Sequence, residues 1–374
     1  MKLSDFIILS AEKALKLQDN NGSFPPGHNG PYHDPETPVR NSGHWLITFA
    51  KCFSLTGKSV FRERVVGAGK YLMSKTARPY GHSFHHRNKN NKDRCNGLIG
   101  QAWTIEAIAQ AAMTLEDESY SDLAEDVFFQ HPFNEELGLW HCLEIDGRIL
   151  KIDETFNHQL WFAACSSLVS GRKKTEAMRR ICRFLDLVPV NMAFLKNGLI
   201  CHSIEGRLKE HIQRESHFIA KVWRKAVGIK AALKTGGDGI QNIYIKSAGY
   251  HAFNLYAFAL LKQQAPDHAF WRSQTFRKAL KYLLSDEFKQ GMESNIYGFP
   301  YNPPGFEVPF ALGLIENIDR TNIIKISQWW LAEQIRRCYS METGQMDRNT
   351  EDPATLTARI YEATRLPDLD LDIQ

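Results

Sequence analysis

The feature of this 374-residue sequence that most limits its fold is an alternation between two kinds of helical segment. A charged, amphipathic helix is followed by a polar loop and then by a more apolar helix, and this unit recurs at intervals of about 50 residues. The apolar helices are predicted to begin near Gly43, Gly97, Phe156, Ala248, Glu307 and Thr355. Their amphipathic partners are predicted at residues 4–17, 60–75, 121–129, 172–187, 270–284 and 322–338. The sequence therefore predicts six helical hairpins and almost no β-strand.

Six such hairpins can be arranged as an open solenoid or as a closed ring. A unit of two helices cannot bury its own apolar face, so neighbouring units must cover it, and an open solenoid needs polar units at both ends. The first and last apolar helices, around residues 45–53 and 356–361, are as apolar as those between them. We therefore expect an all-α fold, the (α/α)6 toroid, as a single domain over residues 1–366. An acidic, solvated tail is expected over residues 367–374.

The longest interval between apolar helices indicates a basic insertion over residues 188–247 in the fourth hairpin, although the whole chain carries a net charge of only +4. Residues 218–234 fit a helix with one apolar and one basic face. The favoured interpretation is an outer helix that covers the barrel. One alternative is peripheral contact with an anionic membrane surface. Another is that Arg207, Lys209 and Arg214 reach the cavity and hold an acidic sugar.

Composition and short motifs narrow the class of protein. The seven cysteines form no CxxC pair, which favours reduced thiols in a cytoplasmic protein over a disulfide or zinc framework. The apolar run at the N-terminus is too short for a signal peptide, and no window is long enough for a membrane span. We expect a cytoplasmic protein, with peripheral attachment to the inner membrane face as the alternative. No nucleic-acid partner, metal site or cofactor is predicted.

The loops that lead into the apolar helices would meet at one mouth of a closed ring and share a cavity. They are rich in imidazole, amide and aromatic groups, which suit the apolar faces and hydroxyl rim of a sugar. One such residue alone is more often a helix cap or a turn residue, so the prediction rests on their recurrence at corresponding positions. The predicted substrate-binding residues are His33, Arg40, His44, Trp45, His86, Asn96, Gln101, Trp103, Asn157, His158, Trp161, Tyr250, His251, Tyr301 and Glu307.

Asp93 and Asp153 are the predicted catalytic residues, because each immediately precedes an apolar helix in neighbouring hairpins. Glycosidic cleavage generally uses one protonated carboxyl group and one ionised carboxylate. Two aspartates facing each other across a cavity mouth would provide both. The alternative is that each only complements the dipole of a helix N-terminus. Glu154 and Glu307 are the substitutes if the helix register differs.

Two segments resemble a known family. Residues 152–163, Ile-Asp-Glu-Thr-Phe-Asn-His-Gln-Leu-Trp-Phe-Ala, resemble the segment of the unsaturated uronyl hydrolases that contains their general acid/base. Residues 96–103, Asn-Gly-Leu-Ile-Gly-Gln-Ala-Trp, resemble a helix start of the same superfamily. The sequence is still more similar to the hydrolase-like proteins of surface-glycan biosynthesis clusters. These resemblances imply an (α/α)6 toroid, an acid/base role for Asp153 with Asp93 as its counterpart, and a free or lipid-linked oligosaccharide or polysaccharide as partner.

The resulting hypothesis is a glycoside hydrolase that cleaves an anionic or uronate-containing glycan by two-carboxylate acid/base catalysis. A polysaccharide lyase or uronyl epimerase on the same fold is the first alternative, with Tyr250, His251 or Tyr301 abstracting a proton next to a carboxylate. A non-catalytic glycan-binding protein of surface-polysaccharide biosynthesis is the second. The third is a terpene cyclase relative, suggested by the Gln-Asp-Asn-Asn-Gly-Ser-Phe segment at residues 18–24.

Overall fold

A computed structural model of the chain describes residues 1–194, 197–204, 237–316 and 319–372, with side chains of the long fourth inner helix described from residue 242 onward. The predicted helix at 218–234, and Arg207, Lys209 and Arg214, lie outside the described residues.

In the described part of the chain, six inner helices line the centre of the fold, and seven outer helices surround them. The inner helices are α2 (Val39–Thr56), α4 (Gly97–Leu115), α6 (Phe156–Ser166), α8 (Gly237–Gln264), α11 (Pro304–Ala311) and α13 (Pro353–Ala358), the last continued by a 3-10 helix over Arg359–Arg365. The outer layer contains α1 (Leu3–Ala14), α3 (Ser59–Leu72), α5 (Glu118–Gln130), α7 (Lys174–Asn191), α9 (Gln274–Leu283), α10 (Asp286–Gly291) and α12 (Arg320–Cys338). This arrangement confirms the predicted (α/α)6 toroid. The fourth inner helix starts at Gly237, earlier than the predicted Ala248.

The inner helices are buried because their composition is apolar on all sides, whereas the outer helices keep a charged face in solvent. In α4, every residue from Gly97 to Ala109 is buried. In α9, by contrast, only Phe276, Ala279, Tyr282 and Leu283 are buried. One hydrophobic core therefore runs from Leu3 to Leu371.

The ring closes through contacts between the two ends of the chain. The 3-10 helix over Arg359–Arg365 packs back against α2. The backbone N–H of Leu3 donates to the carbonyl of Leu369 at 2.9 Å, and that of Leu371 donates to Met1 at 2.8 Å. Leu369 and Leu371 are buried. In the described part of the expected acidic tail, Asp368, Asp370 and Asp372 are exposed to solvent, whereas the alternate leucines join the core.

Two small antiparallel sheets lie in the loops before α6 and α8, and the sequence did not predict them. One contains β1 (Phe133–Asn134), β2 (Leu139–Leu143) and β3 (Ile149–Ile152); the other contains β4 (Met192–Phe194) and β5 (Ile200–Ile204). Strands of two to five residues are too short to show a period-two pattern. The N–H of Ile204 donates to the carbonyl of Glu154 at 2.9 Å, so the two loops are joined at the mouth of the barrel.

Buried polar side chains of three inner helices hold the segments before those helices. Gln101 accepts a hydrogen bond from the N–H of Phe84 at 2.8 Å and donates to its carbonyl at 3.1 Å. Gln159 makes the same pair of bonds to Trp140, at 2.9 and 2.8 Å. His251 accepts from the N–H of Ile200 at 3.3 Å. Gln101 and His251 were expected to bind substrate, but their polar atoms are used in fixing loops.

Candidate active site

The loops before the inner helices surround a chamber of about 140 Å³ at one mouth of the barrel. Because an apolar cavity of about 150 Å³ is known to admit benzene, this chamber has room for one six-membered ring. Its walls combine aromatic and polar groups, as a sugar ring requires. The lining residues are Asn29, Tyr32, Asp34, Arg87, Lys92, Asn96, Ile99, Trp103, Thr155, Asn157, His158, His202, Lys246, Tyr250, Phe253, Tyr301 and Asn302.

An open cleft of about 750 Å³ adjoins the chamber. The two spaces share Arg87, Lys92, Thr155 and His158. The cleft is also lined by Asp93 and Asp153 and, at β3, by Arg148, Leu150, Lys151 and Ile152. A molecule with one ring in the chamber can therefore extend into the cleft.

Asp153 and His158 form a hydrogen-bonded pair at the junction of chamber and cleft. The buried Asp153 carboxylate accepts from Nδ1 of His158 at 2.8 Å, from the N–H of Leu98 at 3.1 Å and from the N–H of Thr155 at 3.0 Å. Burial opposes ionisation, but His158 and these two amides hold the pKa of Asp153 well below its ordinary value. Because the ionised carboxylate accepts from Nδ1–H, a neutral His158 has its lone pair on Nε2.

Asp93 lies beside this pair. Its Oδ1 accepts from the N–H of Gly97 at 2.8 Å, and its Oδ2 accepts from Arg87 at 2.6 Å. Burial again opposes ionisation, but the Arg87 guanidinium and the Gly97 amide keep the pKa of Asp93 below its ordinary value. The two predicted catalytic aspartates thus bind successive amides at the start of α4, and both are held in the ionised form.

Gly97 allows the aspartates and His158 to meet. Its φ of +57° lies in the left-handed region. A Cβ at this position would lie 2.5 Å from Oδ2 of Asp153 and 3.0 Å from Nδ1 of His158. Only glycine satisfies both the backbone conformation and the space.

His202 is a second imidazole in the chamber. Burial, followed by the nearby charges of Lys246 and His158, holds the pKa of His202 well below its ordinary value, so the ring is neutral. The ring lies 4.7 Å from that of Tyr250, and the Tyr250 hydroxyl is 2.9 Å from that of Tyr32. Nδ1 of His202 is buried with no hydrogen-bond partner in the part of the chain that the structure describes.

The chamber wall contains three cationic side chains and one carboxylate. The carboxylate, Asp34, is 2.7 Å from Lys92 and 3.3 Å from Arg87. Lys246 is half-buried, with Nζ 5.0 Å from the centroid of the Tyr32 ring. Burial, followed by the charge of Lys92, lowers the pKa of Lys246. Among the described residues no carboxylate lies within ion-pair distance of Lys246, so its ammonium group can bind an anion.

Three of the predicted binding residues lie under the floor of the chamber. Arg40 is buried, stacks 3.9 Å from the Trp103 ring, and donates to Oδ1 of Asn29 at 3.1 Å. His44 stacks on the buried ring of Tyr361, with ring centroids 4.3 Å apart. Glu307 pairs with Arg359, as described below. These residues can act on a ligand only through the residues that line the chamber.

Other predicted binding residues lie farther away. Trp45 and Trp161 are core residues, with ring centroids 5.9 Å from Phe24 and 4.3 Å from Phe253, respectively. His86 is buried and its Nε2 lies 2.9 Å from Oγ1 of Thr104. His33 is exposed beside Glu351, at 3.3 Å. For all four, the expected position at the cavity is corrected, because the two tryptophans and His86 are buried in the core and His33 is exposed to solvent.

Asn96, Trp103, Asn157, His158, Tyr250 and Tyr301 do line the chamber. The sequence interpretation missed Tyr32, Arg87, Lys92 and Lys246 as site residues. Arg87 and Lys92 belong to the basic loop before α4, which could have indicated them. Lys246 belongs to the predicted basic insertion, which was assigned mainly to the outer surface.

The described residues contain neither a cluster of metal-ligating side chains nor a membrane-spanning helix. No group of three or more His, Cys, Asp or Glu side chains is placed there to hold a metal ion. In the same part of the chain, no helix combines the length and apolarity needed to cross a membrane.

One characterised relative covers nearly the whole sequence. Archaeal glycosylation protein Q of Haloferax volcanii is 43% identical over 374 residues, covering 99% of this chain and 98% of that protein. This chain belongs to the archaeal glycosylation protein Q family. No protein-family model matches the sequence of this family member.

Solved structures similar to this glycosylation protein Q family member are carbohydrate enzymes. An inactive α-1,6-mannanase of Salegentibacter sp. HEL1_6 in complex with α-1,6-mannotetrose has a TM-score of 0.60 and 11% identity, covering 97% of this chain and 98% of that one. Cellobiose 2-epimerase of Bacillus thermoamylovorans B4167 has a TM-score of 0.62 and 10% identity, covering 94% of each chain. An unsaturated glucuronyl hydrolase specific for heparin has a TM-score of 0.57 and 9% identity, covering 97% and 94%. At such identities the likeness shows the shared toroid alone.

Proposed function

We propose that this chain is a carbohydrate-active enzyme that epimerises a terminal uronate residue of a glycan by proton transfer. The observation that carries the proposal is the ionised Asp153, which orients His158 in the wall of a chamber the size of one sugar ring. The name of the Haloferax volcanii relative supports a glycan as substrate.

The shape of the site supports action on the end of a glycan. The chamber holds one ring, and the adjoining cleft is several times larger and open. A terminal sugar would therefore occupy the chamber, stacked against Trp103, Tyr250 and Tyr301, while the following sugars lie in the cleft. The glycan can be free or attached to a lipid carrier, because its far end remains outside.

The charges of the chamber support an acidic sugar. Lys246 has no described carboxylate partner, and its pKa is lowered by burial and then by like-charge repulsion from Lys92. A sugar carboxylate between these two ammonium groups would relieve that repulsion and make charge-assisted hydrogen bonds. A neutral sugar would compensate neither the burial of the Lys246 charge nor its repulsion by Lys92.

The two imidazoles support proton transfer. His158 can take the proton from the carbon next to the sugar carboxylate, and the electron pair moves onto the carboxylate as an enediolate. Lys92 and Lys246 would stabilise the added charge. His202 and Tyr250, which pack together elsewhere in the wall, are the groups that can return a proton to the opposite face. His158 then loses its proton to solvent through the cleft, and the group that donated to the opposite face regains a proton from solvent.

Glycoside hydrolysis is a second candidate function, favoured by the juxtaposition of Asp93 and Asp153 where the chamber meets the cleft. Both carboxylates are held ionised, whereas hydrolysis needs one of them as an acid. The substrate would have to displace Arg87 or His158 so that one aspartate gains a proton. Epimerisation needs no such rearrangement.

Reaction in deuterium oxide separates these functions. Oligosaccharides that end in glucuronate or galacturonate are incubated with the protein and analysed by mass spectrometry and NMR. Epimerisation places deuterium on the terminal sugar without shortening the glycan. Hydrolysis shortens the glycan without forming a carbon–deuterium bond, and a lyase forms an ultraviolet-absorbing double bond.

Matched histidine variants locate the chemistry. His158→Gln should abolish deuterium incorporation. His85→Gln should not, because His85 is outside the chamber and its Nε2 is hydrogen-bonded to Asn88, at 2.8 Å. Binding of the uronate glycan without any reaction would instead indicate a glycan-binding protein and refute the proposed activity.

A further inference from the structure

Below the chamber, one buried arginine is shared between two buried glutamates. Nη2 of Arg359 lies 2.8 Å from Oε1 of Glu307 and 2.7 Å from Oε1 of Glu362. The three side chains are at most 2% exposed. We call Glu307, Arg359 and Glu362 the floor triad.

The floor triad has one negative charge more than it has positive charges. Two carboxylates face one guanidinium, and a charge without a partner in the interior is strongly disfavoured. A glutamate in this position binds a proton instead. Oε2 of Glu307 and Oε2 of Glu362 each lack a hydrogen-bond partner among the described residues, so either oxygen can carry that proton.

The groups around the floor triad do not remove this imbalance. Glu106 is paired with Arg365 at 2.8 Å, and Glu36 is paired with Arg40 at 3.0 Å. Burial holds the pKa of His44 well below its ordinary value, so this imidazole is neutral. The neighbouring phenols, also neutral because burial raises the pKa of each, are Tyr256, Tyr301 and Tyr361.

The floor triad is connected to the chamber through Arg359. Nη1 of Arg359 donates to Oδ1 of Asn302 at 2.5 Å and to the carbonyl of Tyr301 at 3.1 Å. Both Asn302 and Tyr301 line the chamber. Arg359 can hold these residues only while its own position is fixed by the two glutamates.

We propose that Glu307 and Glu362 share one proton, and that this protonated floor triad positions Asn302 and Tyr301 for the sugar. The residues of the floor triad are positioning residues, since none of them lines the chamber. Loss of the shared proton leaves two buried negative charges on one guanidinium, so the contacts of Arg359 with the chamber wall weaken.

The ionisation of the two glutamates supports this proposal. Burial raises the pKa of Glu362 to about 7, and burial raises the pKa of Glu307 well above its ordinary value. The proton is therefore present at neutral pH and lost in alkaline solution. The link to sugar binding rests on the proposed function, but the proton itself does not.

Infrared spectroscopy of the folded protein tests the proton directly. At neutral pH the wild type should show the carbonyl stretch of a buried, protonated carboxylic acid, shifted in deuterium oxide and lost at alkaline pH. Glu307→Gln should remove the band, because the amide replaces the protonated acid and the remaining glutamate pairs with Arg359. Glu12→Gln, at a solvent-exposed glutamate, is the control and should keep it. Absence of the band from the folded wild type would overturn the proposal without a variant being needed.

The coupling to the chamber is tested by calorimetric titration with a glucuronate-terminated disaccharide from about pH 6 to about pH 9. Wild-type affinity should fall about tenfold more than that of Glu307→Gln, and this comparison cancels the titration of Lys246, which both proteins share. Equal pH profiles would overturn the positioning role. If the wild type binds no disaccharide at any pH, the proposed function fails, and the infrared band still decides whether the proton is shared.

Discussion

Replacing Gly97 by alanine should disrupt the site at the point where both aspartates meet α4. The left-handed φ of +57° costs a side-chain-bearing residue roughly 1–2 kcal/mol, and the lower entropy of the unfolded alanine chain returns about 0.4–1 kcal/mol of that cost. The new Cβ would also lie 2.5 Å from Oδ2 of Asp153 and displace it. Asp153 would lose its bonds to Leu98 and His158, each worth about 1.5–3 kcal/mol as a hydrogen bond to a charged group. The expected loss of unfolding free energy is about 3–8 kcal/mol.

Gly81→Ala is the matched control for this prediction. Gly81 has a φ of +74°, and a Cβ there would meet no atom within 4 Å. Its replacement should therefore cost only the backbone term, about 1 kcal/mol. Urea unfolding of the two variants measures the difference, and deuterium incorporation into a uronate glycan measures the effect on the site. Equal stabilities for the two variants would show that Asp153 is not fixed beside Gly97, and the reasoning about the Asp153–His158 pair would fail.

Three further changes test other parts of the site. Lys246→Met should weaken binding of a uronate-terminated disaccharide by about 10- to 100-fold, the value of one charge-assisted hydrogen bond. Binding of the neutral glucose-terminated analogue should not change, and equal effects on both sugars would contradict an anion-binding role. Because His158 and two amides lower the pKa of Asp153, the ionised carboxylate stabilises the fold above its unfolded pKa, and this stabilisation is lost as pH falls. Asp153→Asn should therefore lose less unfolding free energy than the wild type between about pH 5 and pH 2. Equal losses in the two proteins would argue against the ionised carboxylate. Trp103→Leu should weaken sugar binding. Trp45→Leu should lower the unfolding free energy by about 1–3 kcal/mol and leave the sugar affinity of the folded protein unchanged. Calorimetric titration measures the affinity of each variant, and urea unfolding measures its stability.

The six hairpins could be predicted because the burial of a helix is reflected in the composition of the whole helix. An inner helix of a toroid contacts other helices on all sides, so its entire composition is apolar, while an outer helix keeps a charged face. This difference survives over a dozen or more residues and tolerates errors at the boundaries. The short strands β1 to β5 give no comparable signal, because their hydrogen bonds depend on residues brought together by the hairpins around them.

The site was less predictable, because the direction of a single side chain is decided by its neighbours in space. Gln101 and His251 are polar residues near the predicted starts of inner helices, as Asn157 and His158 are. The first two fix the preceding loops, and the second two line the chamber. Each pair consists of one amide and one imidazole close to a predicted helix start, so residue type offers no means of separating them.

Closure of the ring contributes directly to the chamber as well as to stability. Asp352, next to the last inner helix, accepts hydrogen bonds from the N–H groups of His28 at 2.9 Å and Gly30 at 3.0 Å, across a sequence separation of more than 300 residues. These bonds hold the short 3-10 turn that carries Tyr32 into the chamber, where its hydroxyl meets that of Tyr250. An open solenoid with the same helices would leave Tyr32 without this support and the chamber without one wall. The site therefore depends on the closed ring, since the first and last hairpins must meet before the chamber is complete.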